Sequence, residues 1–275
     1  MSDLFDRLGI TIDEKGGIIQ MNWSVGLEGE SWATPEILGL VGELCDSQGH
    51  DPQERALLDS PVVALERVVP GGVNVTIRCE LANGIRAFHK PFSGLDTECA
   101  RDYGQEQAFQ PIHEVAAWRL AKALGQRWEV LVSPCVIREV YDELGSLAAE
   151  APGSPCGRNG WKSSRQWPDA AFFDALIGQQ DRHGNNLYRE GESLTLIDHG
   201  FTFAVPGDNW NVSRLQSQRQ GDPLTSEERS ALMRLVASSD LLGVRRCLAI
   251  ERAQALEDRA RRMLGSNSIP YVGVY

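Results

Sequence analysis

Hydrophobic and polar positions change period several times along the chain. In VNVTIRCEL, Val73, Val75, Ile77 and Cys79 alternate with Asn74, Thr76, Arg78 and Glu80, the period of a half-buried strand. VVALERVV before it is rich in β-branched residues, and Pro70-Gly71-Gly72 separates the two. Asn83-Gly84 is a hairpin dipeptide, after which IRAFHKPF returns as a third strand. This predicts an antiparallel meander over 62–92.

The period then lengthens. Residues 98–125 predict a helix, with an Ala-rich run from Glu114 to Leu124 that Gly125 stops. VLVSPCVIREV predicts a strand, with Pro134 near its start. Residues 142–168 are rich in Gly, Pro and Ser and predict a connector, with APGSPCGRNG as a mobile loop. DAAFFDALIGQQ predicts a helix, DRHGNN a polar loop, and LYRE and SLTLID two short strands around Gly191. Residues 201–224 show no period. Thr225 and Glu228 form a capping box, which predicts a helix over 226–238 and another over about 240–264.

Upstream, Gly16-Gly17 predicts the turn of a short hairpin within 14–22. Thr34-Pro35-Glu36 starts a helix whose apolar face is Ile37, Leu38, Leu40, Val41 and Leu44. Asp51-Pro52 opens a further helical piece. Strands first and helices later predict an α+β, two-lobed fold: an N-terminal extension over 1–60, an antiparallel β lobe over 61–141 and a mainly helical lobe over 142–275.

Composition narrows the function. The 275 residues are 42% hydrophobic and 24% charged, ordinary for a globular chain. Lys and Arg number 27 against 38 Asp and Glu, a net charge of −11. That disfavours a nucleic-acid partner and an anionic membrane surface, both of which need clustered cations. No apolar run reaches a membrane span, and the first residues lack the apolar core of a signal peptide. The 6 cysteines form no Cys-x-x-Cys pair, which predicts reduced thiols in a cytoplasmic protein and no zinc site.

The candidate chemistry is concentrated in Asp181-Arg182-His183-Gly184-Asn185-Asn186 and the following Ile197-Asp198-His199-Gly200. Phosphoryl transfer needs one carboxylate to orient the attacking hydroxyl. It also needs an amide oxygen and a second carboxylate to hold magnesium on the nucleotide phosphates. Asp181 and Asn186 stand in Asp-x-x-x-x-Asn spacing, and a hairpin ending in Asp198 can return the second carboxylate to the same place.

DRHGNNL with LIDHG resembles the phosphatidylinositol 3/4-kinase-like branch of the protein-kinase-like fold, and HipA-like bacterial kinases are similar in outline. The likeness is specific over about 172–204 and weaker back to residue 65. His199 stands where that family carries Phe. The resemblance implies ATP and Mg2+ as cofactors. It implies Asp181 as the catalytic residue with His183 as its aid or as a pin of the loop, and Asn186 and Asp198 as metal ligands. Lys90, in AFHKPF, would bridge the phosphates with Phe88 and Phe92 on its face, and a helix glutamate would hold it. Glu114 heads the most apolar stretch and is favoured over Glu98 and Glu106. Gly71 and Gly72 would lie over the phosphates, and Glu139 and Tyr141 beside the adenine. Arg182 and His199 read as structural. Trp161 and Trp210 lie in polar loops that could border a substrate pocket.

The expected activity is transfer of the γ-phosphate to a hydroxyl. The thin positive charge of 201–224, with Arg214 and Arg219 only, favours a protein serine or threonine over a lipid head group. A small-molecule or lipid kinase, a nucleotidyl transferase on the same fold and a nucleotide-binding pseudokinase are the alternatives.

Overall fold

The computed structural model describes residues 10–12, 18–21, 32–68, 74–208, 213–237 and 241–272. The predicted meander forms β3 (Val62–Val68), β4 (Thr76–Leu81) and β5 (Arg86–Pro91). Gly84 takes φ 83° at the Asn-Gly turn, and the Leu81 amide closes it on the Ile85 carbonyl at 2.8 Å. The sheet does not stop there. β6 (Cys135–Val140) and β7 (Glu143–Ala149) complete five antiparallel strands in the order β3-β4-β5-β7-β6.

β7 corrects the expected connector over 142–168. Its ELGSLAA sequence carries no branched or aromatic run, so composition reads as a loop. Yet it pairs on both edges, with β5 and with β6. Small residues are what this place needs. A Cβ on Gly145 would lie 2.2 Å from the Lys90 carbonyl oxygen. The division expected at 141/142 therefore falls inside the β6–β7 hairpin, at Tyr141 and Asp142, whose φ of 49° and 66° make a two-residue turn. β6 also starts later than the sequence suggested. Residues 126–129 are helical, and Val132 bridges Leu196 beyond the sheet.

The segment before the sheet is built into it. The Pro35–Ser47 helix is capped by Thr34 and buries Ile37, Leu38, Val41 and Leu44 in the main core. Gln48 then gives its side-chain amide to the Ile137 carbonyl at 2.7 Å and accepts from the Ile137 amide at 3.0 Å, so it caps edge strand β6. An early hairpin is present but starts before the expected 14–22: β1 (Ile10–Ile12) pairs with β2 (Ile18–Met21), and Gly16-Gly17 lie outside the described residues.

The single helix expected over 98–125 is two, Thr97–Asp102 and Gln110–Leu124, parted at Gly104 with φ 72°. Gly125, at φ 111°, ends the second where expected. In the second half, the Trp167–Ile177 helix is followed by β9 (Leu187–Glu190) and β10 (Ser193–Leu196), which pair as foreseen. The expected mobile loop supplies β8 (Ser154–Pro155) as their third strand. Thr225 and Glu228 exchange backbone-to-side-chain bonds of 2.9 and 3.2 Å at the head of the Ser226–Ala237 helix. The last expected helix is interrupted into Leu241–Arg245 and Ile250–Ser266, with Cys247 and Leu248 buried between. A five-stranded antiparallel lobe thus sits on a mainly helical one, and the Gln110–Leu124 helix packs against both.

Candidate active site

Four segments distant in sequence converge where the two lobes meet. Alternation along β5 turns Ala87 and His89 into a small apolar core under the sheet and leaves Phe88 and Lys90 facing a cavity. Phe92 does not share that face. It lies beyond Pro91, in the main core, stacked on Trp32 at 4.6 Å. The cavity measures about 190 Å³. Phe88, Val132, Ala148 and Leu196 wall it with apolar surface, and Lys90, Glu114 and Asp198 close one end.

The Lys90 ammonium lies 2.6 Å from Glu114 Oε1 and 2.7 Å from Asp198 Oδ1. Burial works against the ammonium, but the two carboxylates hold its pKa well above the ordinary lysine value. Burial likewise raises Asp198, and Lys90 beside it outweighs that, so the carboxyl sits below the usual range. Glu114 does a second job. Its Oε2 accepts the His199 amide at 3.0 Å, which ties the helix to the Asp198 turn. Glu98 and Glu106 take no part in these contacts.

Asp198 itself has φ 60°, a left-handed conformation rare outside glycine. Bonds on both sides over-determine it. Gln179 gives its amide to the Asp198 carbonyl at 3.3 Å and accepts from the Asp181 amide at 2.9 Å, so one side chain sets the spacing of the two aspartates.

The DRHGNN loop is held from beneath. Arg182 is fully buried against Asp174 of the Trp167–Ile177 helix. It also donates to the Asn186 and Ile197 carbonyls at 2.9 and 2.5 Å. Asn186 gives Nδ2 to the Asp181 carbonyl at 2.9 Å, which leaves its side-chain oxygen as the free ligand atom of that amide. The His183 ring accepts the Asn185 amide on Nδ1 at 3.2 Å and turns Nε2 towards Asp181 Oδ2 at 3.8 Å. Gly184 is obligatory here, because a Cβ would lie 1.8 Å from the Gly157 carbonyl oxygen. Burial raises the Asp181 pKa, partly opposed by His183, and Asp198 adds to the rise.

Not every expected residue arrives. Glu139 and Tyr141 belong to the outer hairpin, Tyr141 is 64% exposed, and neither lines the cavity. The passage that does border it is Ala148, Ala149 and Ala151, at the exit of β7. The expectation for Glu139 and Tyr141 took β6 as the last strand of the sheet, whereas β7 follows it and borders the cavity. Gly71 and Gly72 lie outside the described residues, as does Trp210. Trp161 is buried in the main core. His199 is buried, and both its ring nitrogens lack a protein partner.

Besides Gln179 and Asp174, three further contributors escaped the sequence reading. Tyr103, in the break between helices, stacks on Phe201 at 4.1 Å. Gln180 donates to the Tyr103 carbonyl at 3.0 Å. Gln105 bonds the Gln180 side chain and the Thr202 carbonyl. The Tyr-Gly pair of RDYGQE, with Gly104 free to take positive φ, was the available signal for a break at this point.

Asp198 and Asn186 supply the hard oxygens that magnesium prefers. Among the described residues no group of three or more His, Cys, Asp or Glu is placed to hold a metal ion. No helix among the described residues is long and apolar enough to cross a membrane.

In sequence the chain matches no family model and no curated protein. In structure it is similar to a Golgi casein kinase solved with Mn/ADP bound, with TM-score 0.51 at 18% identity over 77% of this chain and 74% of that one. A second crystal structure of the Golgi casein kinase gives TM-score 0.50 at 18% identity, over 82% and 75% of the two chains. The proinflammatory kinase CtkA of Helicobacter pylori is also similar, with TM-score 0.41 at 11% identity over 76% and 96%. The first two likenesses show a protein-kinase-like fold. What the chain does with that fold is a question for its site.

Proposed function

We propose that this chain is an ATP- and magnesium-dependent phosphotransferase that moves the γ-phosphate to a hydroxyl, with a protein serine or threonine as the favoured acceptor. One observation carries the reading: the Lys90 ammonium meets Glu114 at 2.6 Å and Asp198 at 2.7 Å, and all three line one cavity with Phe88, Val132, Ala148 and Leu196. A lysine held by a helix glutamate, beside an aspartate on a strained turn, suits an anion and its counter-cation. The structural relative with Mn/ADP bound supports a nucleotide and a divalent ion as the ligands.

In this reading adenine lies between Phe88 and Leu196, against the exit of β7. Lys90 binds the phosphates, and Glu114 keeps the ammonium from collapsing onto Asp198 alone. Asp198 and the Asn186 side-chain oxygen would hold magnesium, which would supply positive charge against the phosphates. Asp181 accepts the proton of the attacking hydroxyl, and its burial makes it a better acceptor at neutral pH. Arg182 keeps the loop and the turn in register. The lobe boundary follows β7, near residue 150. The likeness of DRHGNNL and LIDHG to the phosphatidylinositol 3/4-kinase-like branch supports the same roles.

The test is incubation with magnesium and ATP labelled at either the γ- or the α-phosphate. Product carrying only γ-label supports the proposal. Product carrying α-label would make this a nucleotidyl transferase, and nucleotide binding with neither ADP formation nor labelled product would make it a pseudokinase.

A further inference from the structure

The helix that carries Glu114 opens at Gln110 without a side-chain cap. Gln110 is 2% exposed and stands one turn before Glu114, on the same face. Its Oε1 accepts Nδ2 of Asn74 at 2.6 Å. Asn74 lies two residues before β4, and its own Oδ1 accepts the Asp96 amide at 2.8 Å. The next residue, Val75, gives its amide to the Gly94 carbonyl at 2.8 Å. Asp96 in turn caps the Thr97–Asp102 helix by accepting the Cys99 amide at 2.7 Å. One half-buried amide therefore joins the entry of β4, the segment after β5 and the head of the Glu114 helix. Gln110 also meets the Asp198 turn. A Cβ on Gly200 would lie 3.1 Å from Gln110 Cβ, and His113 Nδ1 lies 3.0 Å from the Gly200 carbonyl oxygen.

Lys90 links the sheet to this helix as well, but its ammonium is shared between Glu114 and Asp198, and a phosphate would draw on it further. The bond between Asn74 and Gln110 is neutral, so an arriving anion does not compete for it. We propose that Asn74 and Gln110 are positioning residues, which hold the helix head on the sheet and so keep Glu114 at the Lys90 ammonium when a nucleotide is bound. The inference rests on the phosphotransferase reading above. Neither residue lines the cavity, so both act through Glu114 and the Asp198 turn. Gln110 Nε2 is buried with no partner among the described residues. The Gln110 amide can therefore turn over and donate where it now accepts, which makes the bond open to repair by a single atom change at Asn74.

The experiment measures ADP formation with magnesium and ATP in the full chain, beside urea midpoints, for the parent and five variants: Asn74→Ala, Gln110→Leu, the two combined, Asn74→Asp, and Asn74→Asp with Gln110→Leu. Asn74→Ala and Gln110→Leu should each lower kcat by about tenfold and change the KM for ATP by no more than about twofold, because alignment is lost and the nucleotide contacts stay. Their combination should fall no further than the worse single variant. Asn74→Asp keeps an oxygen for the Asp96 amide and offers a second to Gln110 Nε2, so it should recover most of the rate. That recovery should vanish with Gln110→Leu. Additive losses, an unchanged kcat, a rise in KM that matches the fall in kcat, or a rate loss explained by a smaller folded fraction overturns the inference and leaves the phosphotransferase reading standing. Failure of Asn74→Asp to recover overturns it too. A parent that forms no ADP overturns both readings together.

Discussion

Arg182 and Asp174 form an ion pair at 3.1 Å in which neither side chain is exposed. Arg182 reaches two further carbonyls and Asp174 also accepts the Ser213 hydroxyl at 2.6 Å, so the pair is satisfied on all sides. Removing one partner leaves an uncompensated buried charge. Asp174→Ala should destabilise the fold by about 3–5 kcal/mol in urea titration. A loss under about 1 kcal/mol, the range of surface pairs, would mean that water reaches the guanidinium and the pair does not hold the loop.

Lys90 and Glu114 are predicted to act as a unit. Lys90→Ala removes the phosphate ligand and should lower both nucleotide affinity and turnover. Glu114→Ala frees the ammonium and the His199 amide, and should cost less. Residues coupled through one contact are non-additive, so the double variant should fall little below Lys90→Ala. ATP turnover and nucleotide titration across the four proteins check this. Fully additive losses would dissolve the unit.

These two cases show how legible the chain was. Lys90 and Glu114 were visible because β5 alternates cleanly and the helix has one apolar stretch, so each face could be inferred. The Asp-x-x-x-x-Asn loop was visible because spacing within a loop survives without tertiary detail. β7 was not, since Gly145 is required by the close approach of β5 and, with Ser146, Ala148 and Ala149, carries little β-propensity, so the stretch reads as a connector. Without β7, the cavity wall was read at Glu139 and Tyr141, which do not line it. Tyr103 was invisible for another reason: its partners, Gln180 and Phe201, are distant in sequence and are brought to it by the fold alone.

Asp181 and Asp198 should separate binding from chemistry. Asp181→Asn keeps shape but cannot take a proton, so nucleotide affinity should stay near that of the parent while turnover falls by about 10²-fold or more. Asp198→Ala removes a magnesium ligand and should weaken magnesium-dependent nucleotide binding as well as turnover. Isothermal titration with and without magnesium, beside a turnover assay, distinguishes them. Equal losses of affinity in the two variants would return Asp181 to a structural role.

Stability should fall on mild acidification because three histidines are buried in their neutral form. Burial holds His113 and His199 well below the ordinary value and lowers His89 from 6.5 to about 4. In the unfolded chain these rings titrate near the ordinary pH of about 6.5. Below that pH the unfolded state binds protons that the folded state refuses, so unfolding becomes easier as pH drops. Above it both states are neutral and the contribution is complete. For His89 the window runs from 6.5 down to about 4. Within it each such ring adds a slope of about 1.4 kcal/mol per pH unit. Urea titrations at steps across the window measure the total slope. His89 is fully buried and pairs with Leu147 of β7, a member of the small core, so His89→Leu replaces it with an apolar side chain of similar size. That variant should show a slope shallower by one proton. An unchanged slope would mean that His89 takes up its proton in the folded state as readily as in the unfolded one.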